Sequence, residues 1–350
     1  MRASRFLPPQ PGHRQGVSNA APCLVGIGAS AGGLEPLKLI AAGLPADLRA
    51  AVTVVLHVSP EAESRLPQIL ARAGPLPATH AVDGEPVLAG RIYVAPPDHH
   101  LVLRGGRCAV VRGPRENGSR PAIDPLFRSA AGAYGRRAVA VLLSGTGADG
   151  VAGAQAVAAL GGTVLVQDPA EAVFPSIPAN VVEHDSPSRV LPAAEIAAAV
   201  AEVVASLPGE LDVEENGQEA LDQETRYTLL DGDSLAASRP VGVRAALGCP
   251  ACGGTLWEIN DADLPRYRCR VGHAYAAEEL LAAESENLES ALWVALRALL
   301  ERAELCRRVA DRSRRSGSEL TARRFDRLAE EALEQAGSIR AVLLERDAVG

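Results

Sequence analysis

This 350-residue chain holds one lysine, one methionine, two tryptophans and four phenylalanines, and its net charge is −8. Lys38 stands alone beside 34 arginines, and the acidic balance leaves no global cationic surface for nucleic acid or an anionic membrane. No run of 18 apolar residues is present, so no bilayer-spanning helix and no direct membrane insertion are expected. Residues 1–21 carry prolines, Gln, Arg and His where a secretory leader needs an apolar core, which points to the cytoplasm. The six cysteines do not spread as a disulfide framework, because three of them cluster at metal-ligand spacing. What the chain does have is 47% hydrophobic residues, enough for about two packed domains.

From Cys23 to about Leu207, short β-rich runs alternate with Ala/Leu-rich stretches of helical spacing. The runs are Leu24–Ile27, Ala51–His57, Arg91–Ala95, His100–Arg104, Ala138–Leu143 and Thr163–Gln167. This alternation predicts an α/β fold with a doubly wound, mostly parallel sheet. Two runs flanking Pro96-Pro97-Asp98 predict an antiparallel insertion between Ile92 and Arg112. The predicted organisation is a disordered tail over 1–21, an α/β domain over 22–207, an acidic linker over 208–246, a Cys/His module over 247–275 and a helical hairpin or coiled coil over 276–346. Pro208 to Asp233 holds nine acidic residues and one basic one, a linker-like composition. In the last segment, Leu281, Leu288, Leu292, Leu296 and Leu299 share one helical face. Phe325, Leu328, Ala332, Ala336, Ile339 and Leu343 share another, with Ser316-Gly317-Ser318 as the turn. Such stripes serve intramolecular packing as well as a homodimer or a partner helix.

Val25 to Gly33 reads as a strand running into a Gly-rich turn with Ser30 at its apex, followed by a helix. A hydroxyl near a helix N-terminus suits acyl transfer, since free N–H groups favour an oxyanion; phosphate binding or plain packing suits the same turn. A serine needs an imidazole to take its proton and a carboxylate to orient that imidazole. His57 closes one apolar strand and Asp149 follows another, so all three occupy matching strand-to-loop positions. Taken singly, His57 also fits a structural role and Asp149 a helix cap.

Five blocks in order carry a family resemblance. They are Gly-Ala-Ser-Ala-Gly-Gly-Leu-Glu-Pro-Leu from Gly28, Leu-His-Val-Ser-Pro from Leu56, the run from Arg91 to His100, Arg120-Pro121-Ala122-Ile123-Asp124-Pro125-Leu126-Phe127, and Leu143 to Gly150. Together they resemble the CheB-type chemotaxis protein-glutamate methylesterases over about residues 23–205. The resemblance implies a Ser30, His57, Asp149 triad that needs no cofactor. It implies as substrate γ-glutamyl methyl esters on the cytoplasmic helices of methylated chemoreceptors, with deamidation of particular glutamines as a side activity. Ala31, Thr146 and Ile177 depart from the family pattern, and Ala122 replaces a serine. By the same resemblance His99, His100 and Asp168 are polar neighbours of the site, for which loop hydrogen bonding is expected. Family members controlled by a kinase carry a receiver domain upstream, and the 22 residues here are too few to encode one, so a receiverless enzyme is expected.

Cys249-x2-Cys252 followed by Cys269-x3-His273 supplies two knuckles of a closed tetrahedral zinc site. A module of this length needs a metal to fold, so structural Zn²⁺ is predicted, against a metal-free loop or a redox pair. Cys23, Cys108 and Cys306 lack partners at ligand spacing. The leading reading is therefore a hydrolase. A non-catalytic binding or scaffold module that keeps the esterase fold is the alternative, and a zinc hydrolase is disfavoured because four ligands saturate the metal.

Overall fold

The computed structural model describes residues 21–61, 63–184, 187–207, 224–230, 242–261 and 264–347. The predicted N-terminal tail and most of the predicted linker lie outside these residues. Two compact units are formed: Met1–Leu247 with Gly254–Ala276, and Gly248–Gly253 with Ala277–Gly350.

The first unit is built on β1 (Cys23–Ala29), a strand buried along its whole length. It runs as a continuous apolar strand because both sheet faces are covered, Leu24 entering one core and Val25 and Ile27 the other. Around it stand β2 (Ala50–Leu56), β3 (Ala78–His80), β4 (Ile92–Val94), β7 (Ala138–Leu142), β8 (Thr163–Gln167) and β9 (Arg189–Leu191), in the order β3-β4-β2-β1-β7-β8-β9. Every pairing is parallel. The doubly wound parallel sheet is as predicted. Helices α1 (Leu34–Gly43), α2 (Leu66–Ala73), α3 (Ile123–Tyr134), α4 (Val151–Ala159), α5 (Ser176–His184) and α6 (Ala193–Ser206) complete the alternation. The chain leaves β1 toward β2 on one side and later returns through β7 on the other, which puts the order reversal at β1. Open α/β sheets place their sites at such a reversal.

The region from Ile92 to Arg112 differs in part from the prediction. The run Arg91–Ala95 is not antiparallel: it contributes β4 to the main sheet, parallel to both β2 and β3. The antiparallel element is the hairpin of β5 (His100–Arg104) and β6 (Arg107–Val111). Its turn is Gly105-Gly106, with φ of 58° and 71°, the twist that a two-residue hairpin loop requires.

Further along this unit, a four-stranded sheet follows the order β10 (Val243–Gly248), β11 (Thr255–Asp261), β12 (Leu264–Cys269) and β13 (Ala274–Ala276). Inside the stretch predicted as linker, 224–228 forms a helical turn that buries Glu224, Tyr227 and Thr228. Five buried charges join these parts. Glu116 pairs with Arg128 of α3 at 2.6 Å and with Arg268 of β12 at 3.2 Å. Glu224 pairs with Arg266 at 2.9 Å and with Arg268 at 2.8 Å. Burying ions is costly, and only multiple hydrogen bonds to each partner make such a network tolerable.

The second unit is a helical hairpin of α7 (Ala277–Arg315) and α8 (Glu319–Asp347), turning at Gly317 with φ of 78°. Its buried face is mostly small residues: Ala303, Cys306 and Ala310 on α7, and Ala322, Ala329, Ala332 and Ala336 on α8. The α8 stripe follows the predicted face. On α7 the predicted leucine face runs in register into Ala303, Cys306 and Ala310: Leu292, Leu296 and Leu299 are part-buried, and only Leu281 and Leu288 near the start of the helix are exposed, at 70% and 54%. No helix among the described residues is long and apolar enough to cross a membrane.

Candidate active site

Strand register explains how residues far apart in sequence meet. Ala29 is paired with Leu56, so the next residues, Ser30 and His57, leave the sheet side by side. The His57 N–H donates to the Ala29 carbonyl at 3.1 Å and fixes that exit. On the other flank Gly28 pairs with Leu142, and the Ser30 N–H donates to the Ser144 carbonyl at 3.0 Å. Two glycines make the turn tight enough. Gly32 has φ of 73°, and a Cβ on Gly145 would sit 2.7 Å from Cβ of Ser30. Ser30 itself precedes α1 by four residues.

Ser30 Oγ lies 3.1 Å from Nδ1 of His57, and Nε2 of His57 lies 2.8 Å from Oδ2 of Asp149. Asp149 is an anion, so the tautomer that satisfies both contacts carries its proton on Nε2 and leaves Nδ1 free to accept from the serine. The ring is turned end for end relative to chymotrypsin-like triads, with the same division of labour.

Asp149 is almost fully buried and caps a helix, though not the one that follows it. Its carboxylate accepts the N–H groups of Ile123 and Asp124, the first residues of α3, at 2.6 and 3.2 Å. This fills the place left by Ala122, the α3 cap residue, which has no side-chain oxygen to offer. Asp124 returns the arrangement by accepting the N–H groups of Gly150 and Gly153 at the start of α4, at 3.1 and 2.7 Å. Asn117 Nδ2 bridges the two carboxylates at 3.0 Å to each. Burial, then the charge of Asp149, pushes the Asp124 carboxyl up to about 7. Burial also works against ionised Asp149, but the His57 hydrogen bond and charge with the α3 and Asn117 donors hold its carboxyl below the usual range.

The remaining neighbours are held in loop structure. Both ring nitrogens of buried His100 are engaged, with the Pro114 carbonyl at 2.8 Å and the Ala122 N–H at 3.2 Å, and burial lowers its pKa. His99 faces the Pro97 carbonyl, and Asp168 accepts the Ala170 N–H. Ser144, Asn117 and Asp124 are site residues that the sequence reading missed. Ser144 Oγ donates to the Ala31 carbonyl at 2.9 Å, bracing the serine turn. A cleft beside His57 is lined by Val58, Pro60, Arg115, Gly118, Ser119 and Arg120.

The model of the CheB methylesterase family matches residues 25–200, which is 176 of 350 residues. The chain belongs to the CheB methylesterase family. Among curated relatives it is 38% identical to protein-glutamate methylesterase/protein-glutamine glutaminase 1 of Paramagnetospirillum magneticum, over 54% of this chain and 51% of that protein. A second, protein-glutamate methylesterase/protein-glutamine glutaminase 2 of Pseudomonas aeruginosa, is 40% identical over 52% of this chain and 54% of that protein. The crystal structure of the Thermotoga maritima CheB methylesterase catalytic domain matches with a TM-score of 0.50 and 34% identity, covering 52% of this chain and 98% of that one. The chain spans about half the length of the curated relatives it matches. The family match ends before the C-terminal sheet of this CheB methylesterase relative begins, so β10 to β13 lie beyond it.

The Cys/His residues form two knuckles. Cys252 and Gly253 N–H groups both donate to the Cys249 carbonyl, at 3.3 and 2.8 Å. Gly272 N–H donates to the Cys269 carbonyl, and Sγ of Cys269 lies 3.6 Å from Nδ1 of His273. Cys249 and Cys252 lie in the second unit, and Cys269 and His273 in the first. Zn–S and Zn–N bonds in a tetrahedron set sulfur and nitrogen about 3.6 Å apart, so Cys269 and His273 stand at the spacing of two ligands of one zinc. Cys23 and Cys108 are buried free thiols in the core, and burial pushes Cys108 up to about 12.

Proposed function

We propose that this chain hydrolyses γ-methyl esters of glutamate on the cytoplasmic helices of methylated chemoreceptors, in chemotaxis or a related chemosensory pathway, and deamidates selected glutamines there. It would act in the cytoplasm. The observation that carries this reading is His57 standing between Ser30 and Asp149 at 3.1 and 2.8 Å, in a chain whose relatives are named protein-glutamate methylesterases.

In the proposed reaction, Nδ1 of His57 takes the Ser30 proton as Oγ bonds to the ester carbonyl carbon. The tetrahedral intermediate collapses by breaking the C–O bond to the methoxy group, which leaves as methanol with the proton from Nδ1. Water then repeats the sequence on the acyl-enzyme and releases the glutamate carboxyl. Asp149 keeps the proton on Nε2 and stabilises the imidazolium. The oxyanion needs N–H donors, and those of Ser30 and Gly145 are taken by the Ser144 and Phe174 carbonyls. We therefore assign that role to the amides of Ala31 and Thr146. Cys249, Cys252, Cys269 and His273 would hold one structural Zn²⁺, with all four positions filled by protein, so the metal supports folding and catalysis needs no cofactor.

The test is methanol release from a methylated receptor preparation. Release is expected from the wild-type chain and lost in Ser30→Ala. An inactive wild type that still binds receptor would sink the reading and favour a binding module that keeps the esterase fold.

A further inference from the structure

Asp149 is held at both oxygens, and the holder at one of them is itself held by β13. Oδ2 faces His57, while Oδ1 accepts from Nδ2 of Asn117 at 3.0 Å. At its other end, Oδ1 of Asn117 accepts the Ala276 N–H at 2.9 Å, and the Asn117 backbone N–H donates to the Ala274 carbonyl at 2.8 Å. One carboxamide thus spans from the carboxylate to the last strand of the C-terminal sheet. Asn117 has φ of 49°, a left-handed conformation that asparagine tolerates better than most residues.

The residue before it is anchored as firmly. Glu116 is 1% exposed and bonded to Arg128 of α3, Arg268 of β12 and Thr228. Its backbone forms a parallel bridge to Ala274. The loop that presents Asn117 to the carboxylate therefore rests on β12 and β13, and its amide donor fixes rotation of the Asp149 carboxyl so that Oδ2 stays on Nε2.

We propose that Asn117 is a positioning residue of the triad and that β13, by holding Asn117, completes the hydrolytic site. The inference rests on reading Ser30, His57 and Asp149 as an esterase triad. Three substitutions in the full-length chain separate the parts. Asn117→Ala removes both ends of the link. Asn117→Asp keeps an oxygen for the Ala276 N–H but has no amide donor for Asp149. Ala276→Pro removes the N–H that the sheet supplies while leaving the Asn117 side chain in place.

With a peptide carrying glutamate γ-methyl ester as the probe, both Asn117 variants should lose at least about tenfold in kcat, the loss expected for one hydrogen bond to a buried charge, with KM little changed. The introduced carboxyl in Asn117→Asp faces Asp124, Asp149 and the Ala276 N–H, with His57 on the other oxygen of Asp149. It can donate to Asp149 only when protonated, so this variant should recover turnover toward acid pH relative to wild type. Ala276→Pro should slow the wild type yet add nothing to Asn117→Ala, the non-additivity of two residues acting through one contact. Unchanged kcat in folded Asn117→Ala and Asn117→Asp, beside an active wild type, overturns this inference alone. Independent, multiplying effects of Asn117→Ala and Ala276→Pro overturn the role of β13. A wild type that releases no methanol overturns the esterase reading and this inference with it.

Discussion

At Gly145 an added methyl group would meet Cβ of Ser30 at 2.7 Å and Cδ1 of Ile177 at 2.5 Å. Both neighbours are fixed, one by the serine turn and one by the core, so Gly145→Ala should push Ser30 off His57. The expected result is loss of methanol release well beyond any change in melting temperature. Asp149→Asn should act differently. The single amide oxygen can accept only one of the α3 N–H groups that the two carboxylate oxygens serve, the charge that favours imidazolium is gone and the wrong tautomer is allowed. Turnover should fall by about 10⁴-fold, and the lost cap bond should also lower the melting temperature, measured by parallel kinetics and thermal melts. The convergence of Ser30, His57 and Asp149 was legible because each follows an apolar strand, and the loops after strands on one edge meet. Asn117, Asp124 and Ser144 were not, since their roles depend on which helix start or backbone group the fold brings to them. Asn117 in particular sits in a loop whose partners, Ala274 and Ala276, are more than 150 residues away.

Among the elements, α3 and α4 depend on each other's loops. Each helix start has its N–H groups satisfied by a carboxylate from the other, Asp149 for α3 and Asp124 for α4. Asp124→Ala should cost about 2 kcal/mol or more, since a buried cap with two acceptor bonds is lost, read as a lower denaturant midpoint at unchanged slope. The parallel sheet was readable from the period of its apolar runs. The three-residue strands β3 and β9 were not, being too short to show a period, and β4 was assigned to the wrong sheet because its run abuts the hairpin. The α7 stripe gave the right face but not its extent: Leu292, Leu296 and Leu299 lie in line with buried Ala303, Cys306 and Ala310, whereas Leu281 and Leu288 are exposed.

For the whole molecule, the buried carboxyls set opposite dependences on pH. Glu116 is held down to about 2 by Arg128 and Arg268 against the cost of burial, so its contribution is full above the ordinary carboxyl range and is lost as pH falls toward 2. Asp124, raised to about 7, contributes most below that range and less as pH rises through 7. Melting temperature should therefore peak in mildly acidic solution, fall steeply toward pH 2, and decline less on the neutral side in Asp124→Asn than in wild type. If the four Cys/His ligands hold zinc, purified protein should carry one metal per chain and Cys249→Ser should lose it with a lower melting temperature. The exchange of carboxylates between α3 and α4 bears finally on how descendants of such an enzyme would look. Because Asp149 also satisfies the start of a helix, selection for folding alone would preserve it after activity had gone. A lineage that abandoned hydrolysis would be expected to shed Ser30 first and keep its aspartate, so inactive relatives are to be sought at the serine turn.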